Sequence, residues 1–154
     1  MNEIFGFNEL KVGQRVNVKG KLAADGTFVA IEIEMQPPKD YAEIEGLILS
    51  IDQQNGKINL LNRQLTLPNG VEVFDSDRHE ISLNGLKAKA LVKLKGNYST
   101  PEGFVIKSIN IKKSRNFTID KLKGNVDKVD LEKKSLELIG FTVQANSRTA
   151  VEVL

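Results

Sequence analysis

The residues most capable of chemistry form an acidic loop around the single histidine of the chain. Asp75, Asp77 and Glu80 flank His79, and their carboxylate oxygens are the ligands that a hard cation prefers. A lone histidine excludes a multi-histidine metal site within one chain, and no EF-hand spacing is present. We therefore interpret the loop as solvated, and we predict no metal site and no cofactor.

Other signatures of catalysis are absent from the sequence. Cysteine is missing, which excludes thiol nucleophiles, thiolate metal sites and disulfides. The G-x-S-x-G, P-loop and G-x-G-x-x-G patterns of nucleophile and phosphate chemistry are missing too. Glu32 and Glu34 alternate with Ile31 and Ile33, which is typical of the solvated face of a strand. We predict that the protein is not an enzyme and has no catalytic residues.

The charge distribution identifies a basic middle segment. The formal net charge is +2, but residues 1–83 carry 8 basic and 13 acidic side chains. Residues 84–124 carry 10 basic and 2 acidic side chains, and residues 125–154 carry 4 and 5. A basic segment of this kind can attract anionic partners.

The candidate polyanion-binding residues lie within residues 87–115. Lys93 and Lys95 alternate with apolar residues, so we expect their ammonium groups on the outer face of one strand, with Lys107 on its partner strand. OB barrels bind single-stranded nucleic acid on such faces when aromatic side chains supply stacking platforms. The full candidate set is Lys93, Lys95, Lys107, Lys112, Lys113, Arg115 and Tyr98. We favour the simpler interpretation of these lysines, a solubilising strand face that guards a sheet edge.

These candidates lie on a predicted β-hairpin that occurs twice in the chain. The copies begin with V-N-V-K-G at Val16 and V-K-L-K-G at Val92, and a turn and a second apolar strand follow each. Matching residues of the two hairpins are 76 positions apart. Alternating apolar residues on both sides of a turn predict strands with one buried face.

A three-strand unit also occurs twice, with an offset of 78 at its start. G-x-I-x-x-I-D from Gly46 and G-x-V-x-x-V-D from Gly124 break the strand period of two, which predicts a bulge and a bend in each first strand. For the later strands we match residues 141–143 with 65–67, and residues 151–153 with 71–73.

The order of these units predicts an all-β protein of two small OB-like five-stranded β-barrels. Residues 42–113 contain one complete barrel, and residues 1–36 plus 120–154 form a second, circularly permuted one. Residues 37–41 and 114–119 are linkers, because prolines in the first remove amide donors that a sheet needs. The ends of one chain are at high effective concentration, so we favour a monomer over a strand-swapped oligomer.

The hairpin pattern also resembles a known family. L-x-V-G-x-x-V-x-V-x-G-x-L-x-x-D-G from Leu10 is similar to an uncharacterised bacterial family of small β-barrel repeats, which occur in tandem in exported or surface proteins. The segment from Gly124 to Asp130 resembles the first part of that repeat. The resemblance implies an OB-like fold and a periplasmic or cell-surface location, and it transfers no site residues. Lys89 and Ile106 depart from the pattern.

These observations lead to two functional hypotheses. The first is a non-catalytic structural or interaction module, part of an exported bacterial protein, with a protein or a polyanion as its partner. The alternative is weak, salt-sensitive binding of single-stranded nucleic acid or another polyanion through residues 87–115. No signal-peptide pattern opens the chain, and its apolar runs are too short to span a membrane.

Overall fold

The computed structural model describes residues 6–113 and 119–153, which consist of strands, turns and two single-turn 3-10 helices, Phe7–Glu9 and Leu83–Gly85. The protein is therefore all-β, which confirms the predicted class. No helix in these residues is long and apolar enough to cross a membrane. The strands are β1 (Arg15–Leu22), β2 (Phe28–Gln36), β3 (Ala42–Asp52), β4 (Lys57–Leu60), β5 (Arg63–Thr66), β6 (Glu72–Phe74), β7 (Glu80–Ile81), β8 (Leu91–Ser99), β9 (Gly103–Ile111), β10 (Asp120–Asn125), β11 (Lys128–Asp130), β12 (Ser135–Leu138), β13 (Phe141–Gln144) and β14 (Ala150–Glu152).

The described residues group into two compact units. The terminal unit combines Met1–Ala42 with Ile119–Leu154, and the central unit is Glu43–Thr118. Alternation along the strands explains why each unit has a core. In the terminal unit Val16, Val18 and Ile33 are fully buried, and in the central unit Leu94 and Ile109 are. Burying such side chains contributes about 1.5–3 kcal/mol each.

In the terminal unit, strands from the two ends of the chain share one mixed sheet of order β11-β12-β13-β2-β1-β10. β1 pairs with β2 and β10 in antiparallel ladders. β13 and β14 both pair in parallel with β2, at Phe28–Val29 and at Glu32–Glu34. The edge-to-face contact of Phe28 with Phe141, with centroids 6.4 Å apart, packs β2 against β13.

This sheet is open, which departs from the closed barrel predicted for the terminal segments. Within this unit, β10 and β11 share no ladder in the described residues, although they are consecutive in the chain. Residues 126–127 separate them. There the Asp127 N–H donates to the Glu137 carbonyl (2.8 Å) and the Val126 N–H donates to the Gln14 carbonyl (2.9 Å). The strand therefore changes partner at this kink.

The central unit is also open. Its strands run β3-β8-β9-β6-β7, with β4 on β3 and β5 on β4. Closure of the predicted barrel would need a ladder between β5 and β9, and the described pairings contain none. Residues 67–71, which follow β5, lie outside the strands. They include Pro68, which has no backbone N–H and so cannot extend the ladder.

Bulges occupy equivalent places in the two hairpins. The ladder shifts register between Lys19 and Gly20 in β1–β2, and between Lys95 and Gly96 in β8–β9. A Cβ on Gly20 would lie 2.1 Å from the Val29 carbonyl oxygen, and one on Gly96 would lie 1.9 Å from that of Val105. Only glycine allows the strands to approach this closely.

The first strands of the three-strand units also bend as predicted. β3 has a register shift between Ile48 and Ser50 against β4, and the matching strand breaks at residues 126–127 between β10 and β11. Ile48 and Val126 are buried, whereas Ile51 and Val129 are half-buried. The break in the period of two therefore corresponds to a distortion of the strand in each unit.

The observed registers correct our matching of the later strands. Leu136 pairs with Val143, and Ile58 pairs with Leu65, so Val143 corresponds to Leu65 and not to Leu67. Likewise the partner of Val151 is Ile33, and the partner of Val73 is Ile109. The offset between three-strand units is therefore 78 throughout. For the later strands, the offsets predicted from the sequence differ from this value by two residues. A shift of two residues keeps the same side chains on the same face, so the alternation pattern does not reveal it.

Candidate interaction surfaces

The predicted polyanion-binding lysines lie on the outer face of the β8–β9 hairpin. Lys93 and Lys95 alternate with buried Val92 and Leu94, and they pair across the ladder with Asn110 and Ser108. Lys107 is the extra residue of the bulge, because Lys95 pairs with Ser108 and Gly96 pairs with Ile106. An unpaired bulge residue does not follow the regular alternation of buried and exposed side chains along a strand. Lys107 is exposed, as is Lys95 beside it.

Not all of this charge is available to a ligand. The Lys93 ammonium lies 3.3 Å from a Glu43 carboxylate oxygen, and the Glu43 side chain is only 11% exposed. Lys93 is therefore neutralised within its own unit. Lys95 also has an interaction partner in the structure. Lys107 and Lys113 are the exposed cations of the set that form no described ion pair.

The remaining candidates are more dispersed. Lys112 is half-buried, and its backbone N–H donates to the Leu91 carbonyl (2.8 Å), which anchors the end of β9. Tyr98 pairs with Phe104 across the ladder, and both rings are half-buried. Arg115 lies outside the described residues. The hairpin therefore presents a smaller cationic face than the sequence predicts, with one tyrosine at its far end.

The potential metal ligands that the acidic loop brings together are not the three carboxylates named from the sequence. One carboxylate oxygen of Asp75 accepts the backbone N–H groups of Asp77 and His79, both at 2.9 Å. The bond from His79 is the main reason that the pKa of Asp75 is lowered. Asp75, Asp77 and His79 have potential ligand atoms within 4.8 Å of one another, whereas Glu80 lies in β7. Because Asp75 already caps its own turn, these contacts explain the loop without a cation.

A groove of about 740 Å³ lies on the terminal unit, on residues that sequence reasoning did not select. Its outer-face residues are neighbours across β11, β12 and β13. One set is Lys128, Glu137 and Thr142, and the other is Asp130, Ser135 and Gln144. A volume of this order is typical of ligand sites. The lining residues are Lys128, Val129, Asp130, Leu131, Lys133, Ser135, Leu136, Glu137, Thr142 and Gln144.

One wall of the groove is a loop held in place by hydrogen bonds. The Gln144 side-chain amide donates to the carbonyls of Lys133 (2.7 Å) and Lys134 (3.1 Å). Asp130 accepts the Lys133 backbone N–H at 3.0 Å, and the Lys134 ammonium donates to the Asn8 side chain (3.0 Å). Leu131 remains 46% exposed at the rim. A braced loop limits the ordering entropy that binding would require.

The matching surface of the central unit is arranged differently. Lys57 occupies the position of Ser135, and its ammonium donates to the Thr66 hydroxyl at 2.8 Å. Thr66 in turn corresponds to Gln144. A long side chain thus lies across the strands where the terminal unit has a serine. Polar residues at alternate positions of β12 and β13 were the available sequence signal, but strand faces of this kind are usually only solvated.

A carboxyl pair lies beside the groove at the kink. Burial, and to a smaller extent the charge of Glu137, raise the pKa of Asp127. One Asp127 carboxylate oxygen is buried without a hydrogen-bond partner. Glu137 itself forms a 3.7 Å ion pair with Lys128. The groove therefore contains both signs of charge, and none of its described lining residues is aromatic.

Comparison with known proteins gives a family match for one segment of the chain. The model of a family described as a domain of unknown function, DUF5666, matches residues 3–34. This segment includes β1 and most of β2, so the chain is similar to that family over one hairpin. Searches of curated proteins and of solved structures return no match.

Proposed function

We propose that the chain is a non-catalytic interaction module built on two OB-like units, one of them circularly permuted. Support comes from the ladder order β11-β12-β13-β2-β1-β10. Because β10 and β11 are consecutive, this order describes a ring interrupted only at the kink. The parallel pairing of the third and fifth strands and the bent first strand fit a five-stranded Greek-key barrel.

The observation that carries the binding role is the groove on β11, β12 and β13. OB folds bind ligands over their second and third strands and the loop between the first and second. In the terminal unit those elements are β12, β13 and residues 131–134, which form the groove and its braced wall.

Filling the groove tests this role. Ser135→Lys places the residue of the central unit in the terminal unit, where it can reach across to Gln144 as Lys57 reaches Thr66. We expect the folded variant to lose at least one protein or glycan that cross-links to the wild type in cell extract. The control is Lys57→Ser, which should keep the same cross-linked species. Unchanged cross-linking by Ser135→Lys, with an unchanged melting temperature, would contradict the role of the groove.

The permuted architecture has a separate test. Deleting residues 1–36 removes β1 and β2, which supply the ladder partners of β10, β13 and β14. Amide hydrogen exchange should then accelerate in residues 120–153, while residues 43–113 keep their protection. Retained protection in the terminal strands would show that they do not depend on the N-terminal hairpin.

Weak polyanion binding is the second candidate, because the β8–β9 face is more basic than the β1–β2 face: it has lysines where the other has Asn17 and Ile31, and neutral residues where the other has glutamates. Lys107 and Ser108 correspond to Ile31 and Glu32, at the same bulge. We expect low-affinity binding of a labelled single-stranded oligonucleotide that falls steeply with salt.

The matched variants for this candidate change lysines on either hairpin. Lys95→Gln with Lys107→Gln should weaken oligonucleotide binding at least about threefold at low salt and reduce its salt dependence. Lys19→Gln changes the position that corresponds to Lys95 and should leave binding unchanged. Binding that is absent at low salt, or equal in all three proteins, eliminates this candidate. The exported location stays a prediction from family resemblance.

A further inference from the structure

The outer face of the terminal unit carries two parallel bands of opposite charge. Lysines lie on β10 and β1, and glutamates lie on β2 and β14. The ladder registers align them in two rows across the four strands. The first row is Lys121, Lys19, Glu32 and Ala150, and the second is Lys123, Asn17, Glu34 and Glu152.

Within one chain, each band places like charges together. Lys19 is directly opposite Lys121, and such pairs destabilise a sheet by a few tenths of a kcal/mol or more. Glu32, Glu34 and Glu152 have carboxylate oxygens within 4.8 Å of one another. No ion pair within the described residues joins Lys19 or Lys123 to these glutamates. The face therefore has repulsion inside each band and attraction between bands.

We propose that this face binds the same face of a second copy of the chain. A two-fold axis parallel to the strands, between β1 and β2, reverses the order of the strands in the partner. Lys19 then faces the position of Glu32 in the other copy, and Lys123 faces that of Glu152. Symmetry makes each contact twice. Stacked sheets lie about 10 Å apart, a distance that lysine and glutamate side chains together can span.

An exposed apolar residue lies at the centre of this arrangement. Ile31 is the extra residue of the β1–β2 bulge and is 49% exposed. It is adjacent to the axis, where it would pack on the aliphatic stem of Lys19 in the second copy. The corresponding residue of the central unit is Lys107, which would not favour such packing. The association is therefore specific to the terminal unit and distinct from an exchange of strands.

Charge reversal on the full chain tests the proposal. We expect the wild type to show a concentration-dependent dimer by sedimentation velocity at low ionic strength, and to dissociate at high salt. Lys19→Glu with Lys123→Glu makes the face acidic, and Glu32→Lys with Glu152→Lys makes it basic. Each variant alone should raise the dimer Kd at least about tenfold.

Mixing the two variants gives the decisive result. Their faces are complementary, so a one-to-one mixture should recover a dimer that contains both variants. Lys95→Glu with Lys107→Glu, on the other hairpin, should dimerise like the wild type. A wild type that stays monomeric at low salt, or a mixture that forms no complex although both variants melt like the wild type, would overturn the proposal. Loss of the dimer in the Lys95 and Lys107 variant would place the interface elsewhere.

Discussion

The β1–β2 and β8–β9 hairpins have the same backbone design and different outer faces. Their bulges fall at equivalent glycines, Gly20 and Gly96, and both hairpins accept a parallel strand at the same register, β14 on β2 and β6 on β9. Their outer residues differ in charge. Asn17, Ile31, Glu32 and Glu34 correspond to Lys93, Lys107, Ser108 and Asn110.

This difference separates residues that determine the backbone from residues that determine binding. A close approach of two backbones depends on the missing side chain of glycine and allows no substitution. An outward side chain contacts few neighbours, so its charge can change with little effect on stability. We therefore expect the two hairpins to respond alike to changes at the bulge and differently to changes on the outer face.

The largest effect should come from the bulge glycines. Gly96→Ala would place a Cβ 1.9 Å from the Val105 carbonyl oxygen, and Gly20→Ala would place one 2.1 Å from that of Val29. Because a backbone atom cannot move aside cheaply, each should lower the free energy of unfolding by about 3 kcal/mol or more. Denaturant titration measures both.

The matched control for these glycines is Gly26→Ala. A Cβ there meets nothing within 4 Å, but φ is +90°, so only the backbone conformation is strained. It should cost about 1–2 kcal/mol. If Gly96→Ala costs no more than Gly26→Ala, the close approach of the strands is not the constraint we describe.

The parallel strands give the next largest effect. Val73 on β6 is 1% exposed, whereas Val151 on β14 is half-buried, although both pair with an isoleucine of the hairpin. Val73→Ala should cost about 2 kcal/mol through lost burial and a residual cavity, and Val151→Ala about 1 kcal/mol. Equal losses in thermal or chemical unfolding would show that the two strands are packed alike.

Replacing Lys89, which precedes β8, should stabilise the protein. Lys89 has φ of +70° at the position of Gly13, whose φ is +90°. Each donates its N–H to an equivalent backbone carbonyl: Lys89 to that of Ile48 (2.7 Å), and Gly13 to that of Val126 (2.8 Å). Lys89→Gly removes left-handed strain and adds chain entropy to the unfolded state. The net gain in the free energy of unfolding should be about 0.5–1 kcal/mol.

The reverse change checks the cause of that gain. Gly13→Ala adds a Cβ with no neighbour within 4 Å, so it should destabilise the terminal unit by a similar amount through φ alone. A stabilising Gly13→Ala, or a destabilising Lys89→Gly, would exclude backbone strain as the explanation.

The smallest effect concerns Asp127, whose counterpart in the central unit is the apolar Leu49. Its pKa is raised in the folded protein, so ionisation favours the unfolded chain. The ionised carboxylate therefore lowers stability above its folded pKa. This penalty disappears as the pH falls below the unfolded value of about 3.9. Asp127→Asn should be more stable than the wild type at neutral pH, within about 0.5 kcal/mol, and equal to it in acid.

A second substitution tests the assignment of that penalty. Glu137→Gln removes the neighbouring charge, so the gain in stability from Asp127→Asn should be smaller in that background than in the wild type. The gain should persist, because burial is the larger cause of the raised pKa. A gain that is independent of pH between neutral and acid conditions would show that ionisation of Asp127 is not involved.

The sequence by itself determined the all-β class, the two hairpins and the distortion of both first strands. These features depend on local physics: apolar alternation sets the buried face, glycine permits close approach, and a three-residue break in the period requires a bulge. Such signals lie within a few residues of one another. They appear in the sequence wherever the rest of the chain lies.

Only the tertiary structure decided the register of the later strands, the open ends of the sheets and the composition of the surfaces. A shift of two residues preserves alternation, so the sequence allowed Val143 to match Leu67 as well as Leu65. The ion pair of Lys93 with Glu43 and the alignment of Lys19 with Glu32 join residues on different strands. Their neighbours are set by long-range pairing, which local patterns do not specify.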